Sequence, residues 1–305
     1  MSRVLFVLLP GVHLLDLAGP AQVFSTAADF GLPYRLGYVA EEERITSAQG
    51  LPLTADTRWP ELGPDDLVVV PGWRASGGPG GPRLGPDARE RLRAHHAGGG
   101  TIASVCSGAR ALGEAGLLDG RRCTTHHELQ DALAARFPGA SVVRDVLFTS
   151  DDRVVTSAGI ASGIDLALHL LAVRHGPTLA ARVARSMVVY ARRNGDEPQA
   201  SAMLRHRSHL SDTVHRVQDL IDARFAEPLS LAELAAGAGV SERTLTRVFG
   251  RATDGLTPLR YQQALRLERA EHLISHGTKV EAAAREVGFD DARMLRRLRA
   301  RAAGE

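Results

Sequence analysis

The chain has 305 residues, 44% of them hydrophobic and 24% charged, a composition typical of a globular protein long enough for two domains. This balance excludes an intrinsically disordered chain, and the formal net charge of +2 means that any basic surface must be local. Two cysteines are too few for a disulfide framework.

The apolar amino terminus is interrupted by Pro10, Gly11, His13 and Asp16, which is not typical of a secretory signal. No later run reaches the roughly 18 apolar residues that a membrane span requires. We therefore expect a cytoplasmic protein without a membrane partner.

Strands and helices alternate through residues 1–191, which predicts an α/β sandwich, a parallel sheet flanked by helices. The predicted strands are Arg3–Leu9, Arg35–Ala40, Leu67–Val70, Thr101–Val105, Val142–Leu147 and Val154–Ser157. The predicted helices are one with Pro20 near its first turn, then Asp87–Ala97, a short one after the turn at Cys106, Ser162–His175 and Gly176–Ala191.

The segment SVCSG places Cys106 on a sharp turn from a strand into a helix, with the small neighbours Ser104, Ser107 and Gly108. This pattern is typical of a nucleophile elbow. Backbone N–H groups at a helix N-terminus favour a thiolate, so the pattern predicts a reactive cysteine. The alternative is a buried, inert cysteine. Cys123 is expected in the core.

Several other residues follow directly after predicted strands. In parallel sheets ligands bind beyond the carboxyl ends of the strands, so these residues are expected to converge on one site. Asp16 is expected at this site, with a loop or capping carboxylate as its alternative. The expected ligand-pocket residues are Gly72, Ser107, His126 and Gly159. No metal-ligand spacing occurs in the sequence, and we expect neither a metal nor a cofactor.

Periodicity is lost across residues 192–210, which we interpret as a linker to a helical domain at 211–305. Ser230 and Glu233 have capping-box spacing, Gly237 and Gly239 end a short helix, and Ser241 caps the next. This pattern predicts a helix-turn-helix whose second helix meets DNA. A helical hairpin with a solvated charged face is the alternative. The exposed candidates for DNA contact are Arg243, Thr244, Thr246, Arg247 and Arg251.

A long helix from Pro258 to His276 leads to a second helix pair, Lys279–Val287 and Asp291–Arg301. In the sequence pattern, Ala283 and Val287 are the counterparts of Ala235 and Val240 in the first pair. Two such units, joined by a rigid helix, suit successive turns of the major groove, about 34 Å apart. The last helix carries a cluster of arginines that is expected to contact DNA phosphates, with a solvated helix face as the alternative: Arg293, Arg296, Arg297, Arg299 and Arg301.

Long segments of the first domain resemble the ThiJ/PfpI superfamily, which has the class I glutamine amidotransferase-like fold. They are HLLDLAGPAQVF, VCSGARALGEAGLLDGRRCTTHH and TSAGIASGIDLALHLL. The second domain resembles the AraC/XylS DNA-binding domain, including Val287-Gly288-Phe289. Together they resemble GlxA-type transcriptional regulators. In the superfamily the elbow cysteine pairs with an acid of the first loop, which corresponds here to Asp16.

The chain departs from these families at several positions. Ser107 replaces the histidine of protease-like members, which argues against a Cys-His dyad. Leu295 and Arg299 stand where the second helix-turn-helix has aromatic core residues, and the carboxyl end is expected to be shortened.

The resemblance implies a transcription regulator that senses a small-molecule effector, binds promoter DNA and forms a homodimer. The alternative is a cysteine-dependent hydratase or amidohydrolase that uses Cys106 and Asp16. A third hypothesis is a redox sensor in which Cys106 is oxidised to sulfinate.

Overall fold

A computed structural model describes residues 2–32, 34–74, 82–189, 193–199, 205–207, 209–275 and 277–302. The chain divides into two compact units, Met1–Gln199 and Ala200–Glu305. Residues 75–81, parts of the predicted linker, the end of the long helix at His276 and the last three residues lie outside the described ranges.

Across its described residues the first unit contains a six-stranded sheet in the order β2-β1-β5-β6-β10-β9 and two small two-stranded sheets, β3-β4 and β7-β8. All neighbours in the large sheet are parallel except β9, which runs antiparallel to β10. The strands are β1 (Arg3–Val7), β2 (Arg35–Val39), β3 (Arg44–Thr46), β4 (Pro52–Thr54), β5 (Leu67–Val70), β6 (Thr101–Val105), β7 (Arg122–Cys123), β8 (Ser141–Val142), β9 (Phe148–Asp151) and β10 (Val154–Ser157).

Helices cover both faces of the large sheet, because successive side chains of a strand point to opposite faces. Val4 and Phe6 of β1 belong to the core beneath α1, α5 and α6, whereas Leu5 and Val7 pack on the side of α2 and α3. The predicted α/β sandwich is confirmed. The helices are α1 (Leu14–Asp29), α2 (Pro86–Ala97), α3 (Gly108–Glu114), α4 (Gln130–Arg136), α5 (Ser162–His175) and α6 (Pro177–Ser186).

Two local predictions in the first unit are wrong. Pro20 is the seventh residue of α1 rather than part of its first turn, and it is buried where α1 packs beside Gly163 of α5. The predicted strand Val142–Leu147 is largely a loop, because only Val142 joins β8 and the next strand begins at Phe148.

Residues 193–199, which their composition predicts to be part of a linker, pack against the first unit. The Leu147 N–H lies 2.8 Å from the Gly195 carbonyl oxygen. Arg193 forms an ion pair with the buried Asp165 at 2.6 Å. The side-chain amide of Gln199 donates to the Thr125 carbonyl at 2.9 Å. The domain boundary given by the two compact units therefore lies after this segment.

The described residues of the second unit form helices and the turns between them. Two short-then-long helix pairs, α8-α9 and α11-α12, are joined by the 18-residue α10. The side chains of Ser211 and Ser241 cap α7 and α9 by accepting backbone N–H hydrogen bonds. The predicted capping box between Ser230 and Glu233 is present. The helices are α7 (Asp212–Ala223), α8 (Leu231–Gly237), α9 (Glu242–Ala252), α10 (Pro258–Ser275), α11 (Val280–Glu286) and α12 (Ala292–Ala302).

The two helix pairs turn in the same way but in a different register from the one that the sequence pattern suggested. Gly239 and Gly288 have φ values of +70° and +83° in the two turns. The N–H of the residue after each glycine returns to Ala235 and Ala284, respectively. Ala284, rather than Ala283, is therefore the counterpart of Ala235, and the turn after Gly288 is longer by one residue.

Candidate functional site

Cys106 lies between the end of β6 and the start of α3, in the strained conformation expected of an elbow. Its φ is +55°, which is unusual for a residue with a side chain, and its side chain is almost completely buried. The next residue fixes the turn, since Ser107 Oγ accepts from the Trp73 N–H at 2.8 Å and donates to the Trp73 carbonyl at 3.0 Å. The elbow is thereby held against the end of β5.

Two glycines leave the space that the Cys106 side chain occupies. A Cβ on Gly72 would stand 2.8 Å from Cys106 Cβ and 3.0 Å from Ser107 Oγ. A Cβ on Gly159 would stand 2.9 Å from Cys106 Sγ, and Gly159 also has φ +107°. Real Cβ atoms do not approach other atoms so closely, so both positions require glycine.

Asp16 is fully buried in the first turn of α1, beside this elbow. Its Oδ1 accepts from the Ile160 N–H at 2.7 Å. Its Oδ2 has no hydrogen-bond partner of good geometry among the described residues, although the Gly72 amide and the Cys106 thiol are close enough to lower its pKa. Ile160 has φ +48°, so a second strained residue adjoins the site.

The electrostatics contradict the expected thiolate. Burial, followed by the negative charge of Asp16, raises the pKa of Cys106 to about 12. Burial likewise raises the pKa of Asp16 above its usual value. Because α3 has only seven residues, its N-terminus does not overcome these two effects. This pKa favours the thiol at neutral pH over the helix-activated thiolate that the sequence pattern predicts.

His126 does not form a dyad with Cys106. Among the described contacts, its imidazole packs on His127 at 4.2 Å between ring centroids and lies 3.7 Å from the Glu128 carboxylate. Burial lowers its pKa. The adjacent Thr125 reaches the elbow, since its hydroxyl donates to the Cys106 carbonyl at 2.8 Å. His126 is therefore next in sequence to a residue that contacts the elbow, and its own described contacts are with His127 and Glu128.

The structure thus brings Asp16, Gly72, Cys106, Ser107 and Gly159 together at the carboxyl ends of the strands. No sequence signal identified Ile160, Trp73 and Thr125, which act through backbone atoms or through bonds to the backbone. Their side-chain types carry no signal for those roles.

Other candidate binding features lie away from the elbow. Two cavities of about 430 and 410 Å³ are lined by other residues, the first between α1, β2 and β4, and the second near the start of α2. Within the described ranges, His, Cys, Asp and Glu side chains nowhere form the groups of three that could hold a metal ion. Every described helix is too short or too polar to span a bilayer.

Helix α9 presents the surface predicted to meet DNA. Arg243, Arg247 and Arg251 are exposed at intervals of four residues, which places them on one side of the helix. The two threonines are less available. Thr246 donates its hydroxyl hydrogen to the Glu242 carbonyl at 2.9 Å, and Thr244 accepts from Ser241 Oγ at 2.9 Å.

Helix α12 carries its arginines differently, because most of them contact groups of the same unit. Arg293 lies 3.7 Å from Asp291, Arg296 pairs with Glu281, and Arg299 pairs with Glu271 at 2.7 Å. Arg297 lies 3.0 Å from Met294 Sδ. Leu295 is fully buried, as expected of its core position.

Charge is divided unequally between the units. Residues 200–305 contain 17 Lys and Arg against 14 Asp and Glu, a net charge of +3, whereas residues 1–199 contain 20 against 21, a net charge of −1. The basic excess therefore lies in the unit that contains the helix-turn-helix pairs.

Comparisons with known proteins support the family resemblance of each of the two domains. A family model described as the DJ-1/PfpI family matches residues 2–173, and one described as a helix-turn-helix domain matches residues 234–305. The chain belongs to the DJ-1/PfpI family. As a DJ-1/PfpI protein with a helix-turn-helix domain, it has the organisation of a DNA-binding transcription regulator, and the AraC-type resemblance is confirmed.

Three relatives illustrate this placement. The HTH-type transcriptional regulator CdhR of Pseudomonas aeruginosa is 30% identical over 272 residues, which cover 88% of this chain and 79% of CdhR. Isonitrile hydratase of Pseudomonas putida is 34% identical over 170 residues, covering 54% of this chain and 68% of the hydratase. The crystal structure of an AraC family transcriptional regulator from Pseudomonas putida is 26% identical with a TM-score of 0.53, covering 61% of this chain and all of that one.

Proposed function

We propose that this transcription regulator senses a small molecule at the Cys106 elbow of its DJ-1/PfpI domain and reads promoter DNA through its helix-turn-helix domain. The proposed domains are residues 1–191 for sensing, 192–210 as linker and 211–305 for DNA binding, with residues 193–199 anchored on the sensing side. The observation that carries the proposal is the pairing, in one chain, of a strained cysteine site with an exposed arginine stripe.

The chemistry of the elbow favours ligand contact over catalysis. A thiol whose pKa is about 12 is almost entirely protonated at neutral pH and is a poor nucleophile. The buried Oδ2 of Asp16, which has no hydrogen-bond partner among the described residues, and the Cys106 thiol instead provide an acceptor and a donor for a small polar ligand that enters the elbow. Such a site can bind an effector without turning it over.

DNA binding is tested by fluorescence anisotropy of the full chain on its own upstream DNA, with a shuffled fragment of equal length as control. We expect tighter binding to the upstream fragment, weakened by salt. If both fragments bind equally weakly, a duplex selected from a randomised pool replaces the upstream fragment. Failure to select any preferred duplex would overturn sequence-specific regulation.

The sensing role is tested with a metabolite extract added to the same assay. We expect the extract to change the DNA affinity of the wild-type chain, and Cys106→Ala to reduce that change while basal DNA affinity stays the same. A response unaffected by Cys106→Ala would place the effector elsewhere in the chain.

A second function is supported by the similarity to isonitrile hydratase, which covers 54% of the chain. In this proposal Cys106 and Asp16 catalyse the hydration of an isonitrile. The test is the loss of an added isonitrile in the presence of the wild-type chain, with Cys106→Ala and Asp16→Asn as comparisons. Turnover that both substitutions abolish would establish the enzyme, whereas no turnover by the wild-type chain rejects it for that substrate.

The redox hypothesis is less well supported, because a buried thiol of high pKa reacts slowly with peroxide. Peroxide treatment followed by mass spectrometry would support this hypothesis if Cys106 became a sulfinate before Cys123 reacted.

We also propose that the regulator is located in the cytoplasm and acts as a homodimer. A two-fold dimer suits paired operator half-sites. Sedimentation velocity of the full chain gives the test, and a monomer at micromolar concentration would reject the dimer.

A further inference from the structure

Arg266, in the middle of α10, contacts backbone from both helix-turn-helix units at once. Its Nε donates to the Phe225 carbonyl at 2.6 Å, and its Nη2 donates to the Glu227 carbonyl at 2.7 Å. Its Nη1 donates to the Gly288 carbonyl at 2.7 Å. Phe225 and Glu227 lie between α7 and α8, and Gly288 lies in the turn between α11 and α12. One guanidinium therefore joins the segment that precedes the first helix-turn-helix pair to the turn of the second helix-turn-helix pair.

The neighbouring side chains reinforce this arrangement. Gln262, one turn earlier on α10, donates to the Phe225 carbonyl at 3.0 Å and to the Glu227 carbonyl at 2.8 Å. The guanidinium carbon of Arg266 also lies 5.7 Å from the centre of the Phe289 ring. Phe225 packs against both hydrophobic clusters of the helical domain. Polar and apolar contacts thus meet at the same place.

The backbone of the turn at Gly288 packs closely against the backbone of Ala226. Gly288 has φ +83°, and a Cβ at this position would collide with the Ala226 carbonyl oxygen. The second turn therefore lies directly against the segment that precedes α8. Only arginine has N–H groups in a rigid planar fork that can satisfy carbonyls in several directions, because a lysine ammonium is a single point donor on a flexible stem.

We propose that Arg266 is a positioning residue that holds the two helix-turn-helix units in the orientation in which both contact one face of the DNA. Its three carbonyl contacts and the Gln262 bonds form a clamp, which we call the Arg266 clamp. Without the clamp each unit keeps its own core and its own DNA contacts, but the two units no longer add their affinities. This inference rests on the proposed function, since it concerns how the two units meet DNA together.

The expected effect follows from linked binding. Two modules held in the correct geometry bind far more tightly than one, by about 100-fold or more, whereas modules held in a poor geometry lose that gain. Removal of the clamp should therefore abolish the gain from the second DNA segment and leave the affinity for a single segment almost unchanged. A fold defect would instead lower both.

The test uses the full chain and a duplex that the wild-type chain selects from a randomised pool, with the two contacted segments mapped by hydroxyl-radical footprinting. Failure of this selection would reject the proposed function rather than the clamp. Binding is then measured on the intact duplex, on a duplex with one segment replaced, and on a duplex with five extra base pairs between the segments, about half a turn of DNA.

For Arg266→Met we expect the gain from the second segment to fall below about tenfold, with single-segment affinity within about twofold of wild type. The five-base-pair insertion should weaken the wild-type chain strongly and this variant little. Arg269→Met is the matched control, because it removes the same charge from the same helix three residues later, outside the clamp. It should keep the gain and the spacing dependence.

Arg266→Lys provides a second variant, which keeps the charge and the aliphatic stem but not the planar fork. We expect an intermediate gain and a partial dependence on spacing. The clamp is overturned if Arg266→Met and Arg266→Lys both retain the wild-type gain and spacing dependence. It is also overturned if they lose single-segment and two-segment affinity in equal proportion, which would indicate a general effect on folding.

Discussion

At the scale of single residues, the elbow depends on what its neighbours lack. Cys106 fits because Gly72 and Gly159 have no side chains, and its thiol stays protonated because it shares a buried site with Asp16. Both acids have raised pKa values, so the pair gives up its protons reluctantly. Strain at Cys106 and Ile160 indicates that the surrounding structure is built to maintain this arrangement.

Asp16→Asn should make Cys106 more reactive, because it removes the negative charge that helps to raise the pKa of the thiol. Each unit by which that pKa falls increases the thiolate fraction at a given pH about tenfold. The measurement is the iodoacetamide alkylation rate at pH 8, followed by mass spectrometry. Cys123, whose pKa is raised to about 11 by burial alone, is the internal control. An unchanged rate at Cys106 would show that Asp16 does not control the thiol.

The same substitution has a signed effect on stability. The raised pKa of Asp16 means that the folded state holds this proton more tightly than the unfolded state does. The contribution of Asp16 to the unfolding free energy therefore decreases as pH rises from its ordinary value of 3.8 through its folded pKa. Asp16→Asn should be more stable than wild type at pH 7, and the difference should shrink on acidification. Thermal melts across this range provide the measurement.

At the scale of elements, apolar runs predicted the buried strands well. Leu67–Val70, Thr101–Val105 and Val154–Ser157 are strands with those bounds, because central parallel strands are buried on both faces. The edge strand β9 was missed, since FTSD is not an apolar run. Convergence of the site followed from the strand ends, but the pKa of Cys106 depends on burial and on Asp16, which come together only in the fold.

The capping box gives a prediction for the first helix-turn-helix. Ser230→Ala removes the hydroxyl that accepts from the Glu233 N–H at 3.2 Å, while Glu233 keeps its bond to the Ser230 N–H. We expect the free energy of unfolding of the helical domain to fall by about 1 kcal/mol. Urea unfolding monitored by circular dichroism measures this change. Ser275→Ala, near the end of α10, is a comparison that leaves the box intact, and an equal loss in both variants would contradict the capping argument.

The segment at residues 193–199 packs on the first unit although its composition is typical of a linker. Its charged and glycine residues resemble a connector, yet Arg193 donates to Asp165 through its N–H and its guanidinium. Arg193→Ala should lower the stability of the sensing domain by about 2 kcal/mol, because the buried carboxylate loses its charged partner. Arg185→Ala, an exposed arginine on α6, is the control for thermal melts. Equal melting temperatures for both variants would reject the role of the pair.

At the scale of the whole molecule, the two units differ in net charge, which is consistent with different functions. The first has a net charge of −1 and a buried polar site, and the second has +3 with arginines on both α9 and α12. A nearly neutral chain has little general affinity for nucleic acid, so binding must come from the local arrangement of arginines. This arrangement differs between α9, whose arginines are exposed at regular spacing, and α12, where several are paired with carboxylates.

The salt dependence of DNA binding separates sequence reading from charge attraction. If α9 reads base edges, we expect Arg247→Ala to weaken binding to the selected duplex by about 1–3 kcal/mol and to reduce its preference over random DNA. Arg297→Ala should weaken both duplexes alike and lower the slope of log affinity against log salt by about 1, as loss of a phosphate contact does. Arg182→Ala, in the acidic first unit, should change neither quantity. If Arg247→Ala also weakened both duplexes alike, α9 would bind phosphate, and sequence preference would have to come from α12.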